Sequence, residues 1–258
     1  MATALITGAS SGIGAAFARR LAAQGDDLVL VARSEDRLAA IATALQTEHD
    51  IGVQVIVQDL ARAGATAAVI DQVAAQGHTI DLLINSAGFG DYGPFYASDS
   101  HHQSQMIQVN ITALVELTHH YLGQMRQRDR GSIINIASVG GFQPMPYWSA
   151  YGATKAFVLN FTEALWAENQ SNNVKILALC PGPTDSDFFQ RANVSAIPPG
   201  MSLVTAEQVV QEALDALHNG EASRVTGDWL NHLITTLPRM FPRDAWAKLL
   251  GEQFQPKS

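Results

Sequence analysis

The chain has a single cysteine in 258 residues, so no internal disulfide can staple it, and no Cys/His group stands at zinc-ligand spacing. It must fold on its core. Positive charge is scarce too: 16 Lys plus Arg face 24 Asp plus Glu, a formal net charge of −8, and no basic stripe crosses the body. That excludes nucleic acid as the main partner. Long apolar runs are missing. The first, Ala2 to Thr7, stops at Gly8, far short of the roughly 20 residues that cross a bilayer, and reads as a strand. No targeting segment is visible; with the lone thiol, this makes cytoplasmic residence the expectation. Nor is there a repeat or low-complexity tract. What is present is 47% apolar residues with ordinary charge, enough for one large globular domain or two small ones.

Short β-branched runs alternate with longer helical patterns, the signature of a parallel sheet with crossover helices. Strands are predicted at Ala4–Thr7, Leu28–Ala32, Val53–Gln58, Leu82–Asn85, Ser132–Ala137 and Val174–Leu179, with a weaker seventh at Ser223–Thr226. Apolar residues at three- and four-residue spacing predict helices over Gly12–Ala23, Asp36–Glu48, Thr66–Gln76, Gln103–Arg126, Tyr151–Asn169 and Thr205–His218. The expected fold is one α/β domain, a doubly wound and mostly parallel seven-stranded sheet with helices on both faces. The rhythm breaks between Pro181 and about residue 204, where Pro183, Pro198, Pro199 and Gly200 also lie. A long loop after a strand's carboxyl end is well placed to cover a substrate.

The first strand runs into Gly8-Ala9-Ser10-Ser11-Gly12-Ile13-Gly14 and then a helix. Glycines allow a tight turn that brings free helix N–H groups against a pyrophosphate, which the helix dipole also favours. Methyltransferases have similar loops, but the strand before and the helix after favour a dinucleotide. An acidic residue ending the second strand would select NAD. Here Arg33 stands there, able to pair with a 2′-phosphate, so NADP is favoured; pairing with Glu35 or Asp36 is the structural alternative.

Tyr151 and Lys155 stand four apart at a predicted helix start, so both project from one face. A phenol near its reference pKa of about 10 is a poor base at neutrality, and an adjacent ammonium would bring it toward the working range. Ser138 follows the fifth strand directly, where its hydroxyl could hold a substrate carbonyl. Asn110 lies inside a helical pattern, where such an amide often marks a kink or a bound water.

Taken in order, Thr7 to Gly14, Asn85-Ser86-Ala87-Gly88, Asn110, Ser138, Tyr151-Gly152-Ala153-Thr154-Lys155 and Pro181-Gly182 resemble the short-chain dehydrogenase/reductase family from about residue 3 to 220. The resemblance implies a seven-stranded sheet and hydride transfer with a nicotinamide cofactor, here NADP(H). It makes Tyr151 the acid or base and Ser138 the group that orients the substrate oxygen. Lys155 would bind the nicotinamide ribose and tune Tyr151, and Asn110 would hold a relay water. Asp59 and Leu60 would edge the adenine, Asn85, Ala87 and Gly88 would line the cofactor, and Pro181, Gly182 and Thr184 would meet the nicotinamide side. Ser86 departs from the second Asn that many members carry, and Pro183-Thr184 from the usual apolar pair. The implied activity is reduction of a carbonyl compound or oxidation of an alcohol. The alternative is a non-catalytic NADP-binding regulator on the same fold. The family also suggests a homodimer or homotetramer through the long helices.

Phe89, Tyr92, Phe142, Met145, Trp148, Phe188 and Phe189 cluster near the expected pocket and favour a hydrophobic carbonyl, although aromatics there also build cores. Cys180 reads as a small buried hydrophobe. His101-His102 and His119-His120 lack partners at ligand spacing and read as solvated helix faces, so no metal is expected. The domain is expected to span 1–227. Beyond it, Asp228 can cap a helix that Pro238 stops, and a second amphipathic stretch carries Trp246, Leu249, Leu250 and Phe254. This tail, 228–258, could cover the pocket, pack on a partner subunit or touch a membrane surface; docking on its own domain is the favoured reading.

Overall fold

A computed structural model describes residues 2–192, 194 and 203–255. Pro198, Pro199 and Gly200 of the expected substrate loop lie outside the described residues. Seven strands form one sheet: β1 (Thr3–Thr7), β2 (Asp27–Ala32), β3 (Val53–Val57), β4 (Leu82–Asn85), β5 (Gly131–Ile136), β6 (Val174–Cys180) and β7 (Ser223–Val225). Their order is β3-β2-β1-β4-β5-β6-β7, and every pairing is parallel. Such a sheet is buried on both faces, which is why its central strands read as continuous apolar runs such as Leu28–Ala32.

The helices are α1 (Gly12–Ala22), α2 (Glu35–Glu48), α3 (Ala65–Ala75), α4 (Ser100–Ile107), α5 (Leu114–Gln127), α6 (Ser149–Glu168), α7 (Phe188–Arg191), α8 (Ala206–His218), α9 (Trp229–Thr236) and α10 (Arg243–Gln253). One face of the sheet carries Ile6, Leu30, Ile84, Ile134 and Leu177 against α1 and α8. The other packs Leu5, Val29, Leu83, Ile133 and Ile176 against α3 and α5. Caps start the helices as their residues suggest: Thr205 accepts from the Gln208 N–H at α8, and Asp228 from the Asn231 N–H at α9.

The helix predicted over Gln103–Arg126 is broken. Gln108–Ala113, with Asn110 at its centre, winds as a wider π-turn between α4 and α5. Inserting a turn of this kind frees backbone groups, and such turns concentrate at functional sites. The sheet interior holds a second polar feature. Asn85 and Asn135 are direct neighbours on β4 and β5. The Asn85 amide donates to Asn135 Oδ1 (2.8 Å) and Thr118 Oγ1 (3.0 Å), and the Asn135 amide donates to Thr162 Oγ1 (3.0 Å). This chain of buried groups ties the two strands to α5 and α6.

Candidate active site

In a parallel sheet the strand order reverses where β1 meets β4, and a crevice opens beyond the carboxyl ends there. Thr7 ends β1 beside Asn85 of β4. Thr7 Oγ1 accepts the N–H groups of Ser86 (3.1 Å) and Ala87 (3.0 Å), which seals the two strand ends together. The approach is so close that a Cβ on Gly8, at φ +68°, would stand 2.8 Å from the Ala87 nitrogen. Gly14 is tighter still, since a Cβ there would lie 2.4 Å from the Gly8 carbonyl oxygen. Glycine at both places lets α1 start hard against β1. Ser11, at its N-cap, makes no side-chain capping bond, so the helix's first N–H groups are left for another acceptor. A phosphate fits this entrance. Gly14→Ala is expected to cost about 1–3 kcal/mol of stability through overpacking and to weaken NADPH binding; thermal unfolding and titration with NADPH check both.

Arg33 is exposed, and no hydrogen bond or ion pair engages it among the described residues. Its neighbour in α2, Arg37, donates instead to Asp187 (2.9 Å), which also receives Arg191 at 2.9 Å. These two guanidiniums hold the Asp187 carboxyl below the usual carboxylate range. Asp59 accepts from the Ala61 N–H (3.1 Å), and the Leu60 side chain is buried in the core beside α3. Asn85 turns its side chain into the buried network between the strands. The Thr184 hydroxyl donates to the Gly182 carbonyl (3.0 Å), and a bridge pairs Thr184 with Val204.

The catalytic candidates converge one strand further on. Ser138 follows β5 and accepts the Gly140 N–H at 3.1 Å. It is near enough to Tyr151 to lower the pKa of its phenol. Lys155 is buried one turn along α6; its ammonium donates to the Ile136 carbonyl (2.7 Å) and lies 5.8 Å from the Tyr151 ring centroid. Burial pushes the Tyr151 phenol up to about 12, opposed by the neighbouring Ser138, and pulls Lys155 down to about 8. Burial is the largest influence on the phenol, and the amine is anchored on a backbone oxygen. Of its three donors, two remain for another ligand.

Asn110 Oδ1 accepts the Phe89 N–H (3.1 Å), and its amide donates to the Phe89 carbonyl (2.9 Å) and Thr154 Oγ1 (3.1 Å). The side chain is committed to holding the turn after β4 against α6.

The aromatic residues divide. Trp148 and Phe188 pack on Tyr151, with Tyr92 behind Trp148 and Phe189 edge-on to Phe188. Phe89 and Phe142 lie, partly buried, against core clusters, Phe89 also against the His102 ring. Met145 wedges between Gly140 and Gly152. Cys180 is buried, and burial raises its thiol pKa.

Two contributors were missed. Gly90 sits where the rings meet. Asn231, in the tail, donates to the Thr226 carbonyl (2.9 Å) and lies so close to Gly182 that a Cβ there would be 2.3 Å from its amide nitrogen. A glycine two past Gly88, and a lone amide on an apolar helix, are the only signals the sequence offers for them. The tail docks on its own domain. Tyr92 donates to the Phe254 carbonyl and Trp246 to Gln143 Oε1, each at 2.8 Å, so α10 spans both loops bordering the crevice. Among the described residues no helix is long and apolar enough to cross a membrane.

Residues 2–196 match the family model of the short chain dehydrogenases. The chain belongs to this family and is an oxidoreductase. It is 28% identical over 257 residues to a 7beta-hydroxysteroid dehydrogenase of Mediterraneibacter gnavus, covering 97% of this chain and 95% of that one. A short-chain dehydrogenase from Sphingobium yanoikuyae, solved in complex with NADPH, superposes with a TM-score of 0.83 at 33% identity, over 100% of this chain and 98% of its own. The bulky-bulky ketone specific alcohol dehydrogenase from Comamonas testosteroni gives 0.79 at 31% identity, over 100% and 97%.

Proposed function

We propose that the chain is an NADPH-dependent carbonyl reductase acting on hydrophobic ketones, aldehydes or acyl carbonyls, and in reverse an alcohol dehydrogenase. The observation that carries this reading is the Lys155 ammonium held 5.8 Å from the Tyr151 ring centroid, one helical turn apart on α6, beside the end of β5 that Ser138 follows. The cofactor is NADP(H). Gly8, Ser10, Ser11, Gly12, Ile13 and Gly14 hold its pyrophosphate against α1, and Arg33 takes the 2′-phosphate. Asp59 and Leu60 edge the adenine, and the turn Asn85 to Gly88 lines the cofactor through its backbone. Lys155 gives its remaining donors to the ribose, while Pro181, Gly182 and Thr184 border the nicotinamide.

Bound NADPH supplies the hydride that reduces the carbonyl carbon. Tyr151 donates its hydroxyl proton to the carbonyl oxygen, and Ser138 steadies that oxygen. A phenol raised to about 12 keeps its proton at neutral pH, which suits donation. Trp148, Tyr92 and Phe188 keep water from the phenol. The enzyme works in the cytoplasm and associates with copies of itself through α4–α5 and α6, where Ile107 and the stacked ring of Phe157 are exposed.

Loss of NADPH absorbance over a panel of ketones, aldehydes and acyl thioesters tests the reading; no turnover on any of them would overturn it. Arg33→Ala is expected to raise the Kd for NADPH about 10–100-fold, the worth of charge-assisted bonds to one phosphate, and to leave NADH unchanged. Unaltered preference in a fluorescence titration would remove Arg33 from the site.

A further inference from the structure

Three rings close over a residue that has no side chain. A Cβ on Gly90 would stand 2.9 Å from Trp148 Cζ3, 3.0 Å from Phe188 Cζ and 3.2 Å from Tyr151 Cδ2, closer than the roughly 3.5–4.0 Å at which carbon atoms attract. Glycine is what permits the approach. Trp148 and Phe188 lie nearly parallel, 9° apart, with centroids separated by 6.1 Å. Their centroids are 5.5 and 5.3 Å from that of Tyr151.

The two rings are held differently. Tyr147, just before Trp148, sits at φ 63°, a strained conformation for a bulky residue, and its carbonyl accepts the Gly93 N–H at 2.9 Å. The Tyr92 ring packs on Trp148 at 5.4 Å. Backbone strain thus falls at the residue that aims Trp148, which is buried and fixed from two sides. Phe188 stands on the single turn of α7. That turn is tied to α2 by Arg37–Asp187, whose side chains are 55% and 44% exposed, and a pair so open to water holds weakly. A flat ring stacked on both faces needs about 7 Å between its neighbours. The two rings are stacked on each other, so Phe188 has to swing away from Trp148 to admit one.

We propose that Trp148 and Phe188 form a slot for a planar ring carried on the carbonyl carbon, that Gly90 sets its width, and that the substrates are aryl or similarly flat-ringed ketones and aldehydes. This rests on the carbonyl reductase reading. A ring in the slot lies beside Tyr151, and its carbonyl oxygen then comes within reach of the phenol and Ser138. Aliphatic chains gain less there, because stacking on two ring faces adds to area burial.

The test compares acetophenone with 2-octanone, which has the same number of carbons, using the full chain and NADPH. Wild type is expected to favour acetophenone in kcat/KM by about tenfold or more, the worth of one good ring pair. Phe188→Leu and Gly90→Ala are each expected to lower that ratio about tenfold. Thermal unfolding and the NADPH Kd are read in parallel; should Gly90→Ala fail to fold, Phe188→Leu, on the outer loop, carries the test. Equal use of the two ketones by wild type, or a ratio unmoved in folded variants, overturns the slot while leaving the reductase standing. Wild type that consumes NADPH with neither ketone, nor with any other carbonyl, defeats the reductase reading itself.

Discussion

Replacing Tyr151 by phenylalanine is expected to lower kcat for carbonyl reduction by about 10²–10⁴-fold, the usual worth of a positioned proton donor, while NADPH binds as before. The ring stays. Its contacts with Trp148 and Phe188 are made by carbon atoms, so the aromatic packing survives the loss of the hydroxyl. What disappears is the hydroxyl and its proton. Steady-state kinetics alongside an NADPH titration read the two effects apart. Turnover retained in a folded variant would mean that another group delivers the proton.

The second large effect is a pH dependence of opposite sign in the two directions. Burial holds Tyr151 at about 12, so at neutrality nearly every molecule carries the proton that reduction needs, and few carry the phenolate that oxidation needs. Lys155, lowered to about 8, is charged below that pH and neutral above it. Its ammonium is the donor that this reading gives to the cofactor ribose, so its loss weakens reduction. Alcohol oxidation is therefore expected to rise about tenfold or more between pH 7 and 10, and carbonyl reduction to fall as pH passes about 8. Lys155→Met should remove the fall near pH 8 and lower activity in both directions. Rate profiles from pH 6 to 10 check the signs; oxidation that declines with rising pH would contradict them.

The strands were legible because a parallel sheet buried on both faces leaves unbroken β-branched runs, and Leu82–Asn85 came out with its bounds unchanged. The break in Gln103–Arg126 was not. A π-turn shifts the apolar stripe too little to disturb a three-and-four spacing, although Asn110 marked the place. Among candidate site residues, order along the chain located Tyr151, Ser138 and Lys155 together. It could not say which way a side chain faces. Phe89 and Phe142 are as aromatic as Trp148 and Phe188, yet they lie, partly buried, against the core clusters. Nor could four-residue spacing weigh an ammonium's attraction against burial. Lys155 spends a donor on Ile136, and desolvation decides the phenol. Gly90 and Asn231 act through closeness to residues far along the chain, which no local pattern carries.

The most direct measurement uses NADPH deuterated at the transferable position of the nicotinamide, incubated with a ketone that the full chain consumes. Hydride delivery to a carbonyl carbon predicts one deuterium on the carbinol carbon of the alcohol and none in the Tyr151→Phe incubation over the same time. An alcohol formed without deuterium, or label equal in wild type and variant, would contradict the account.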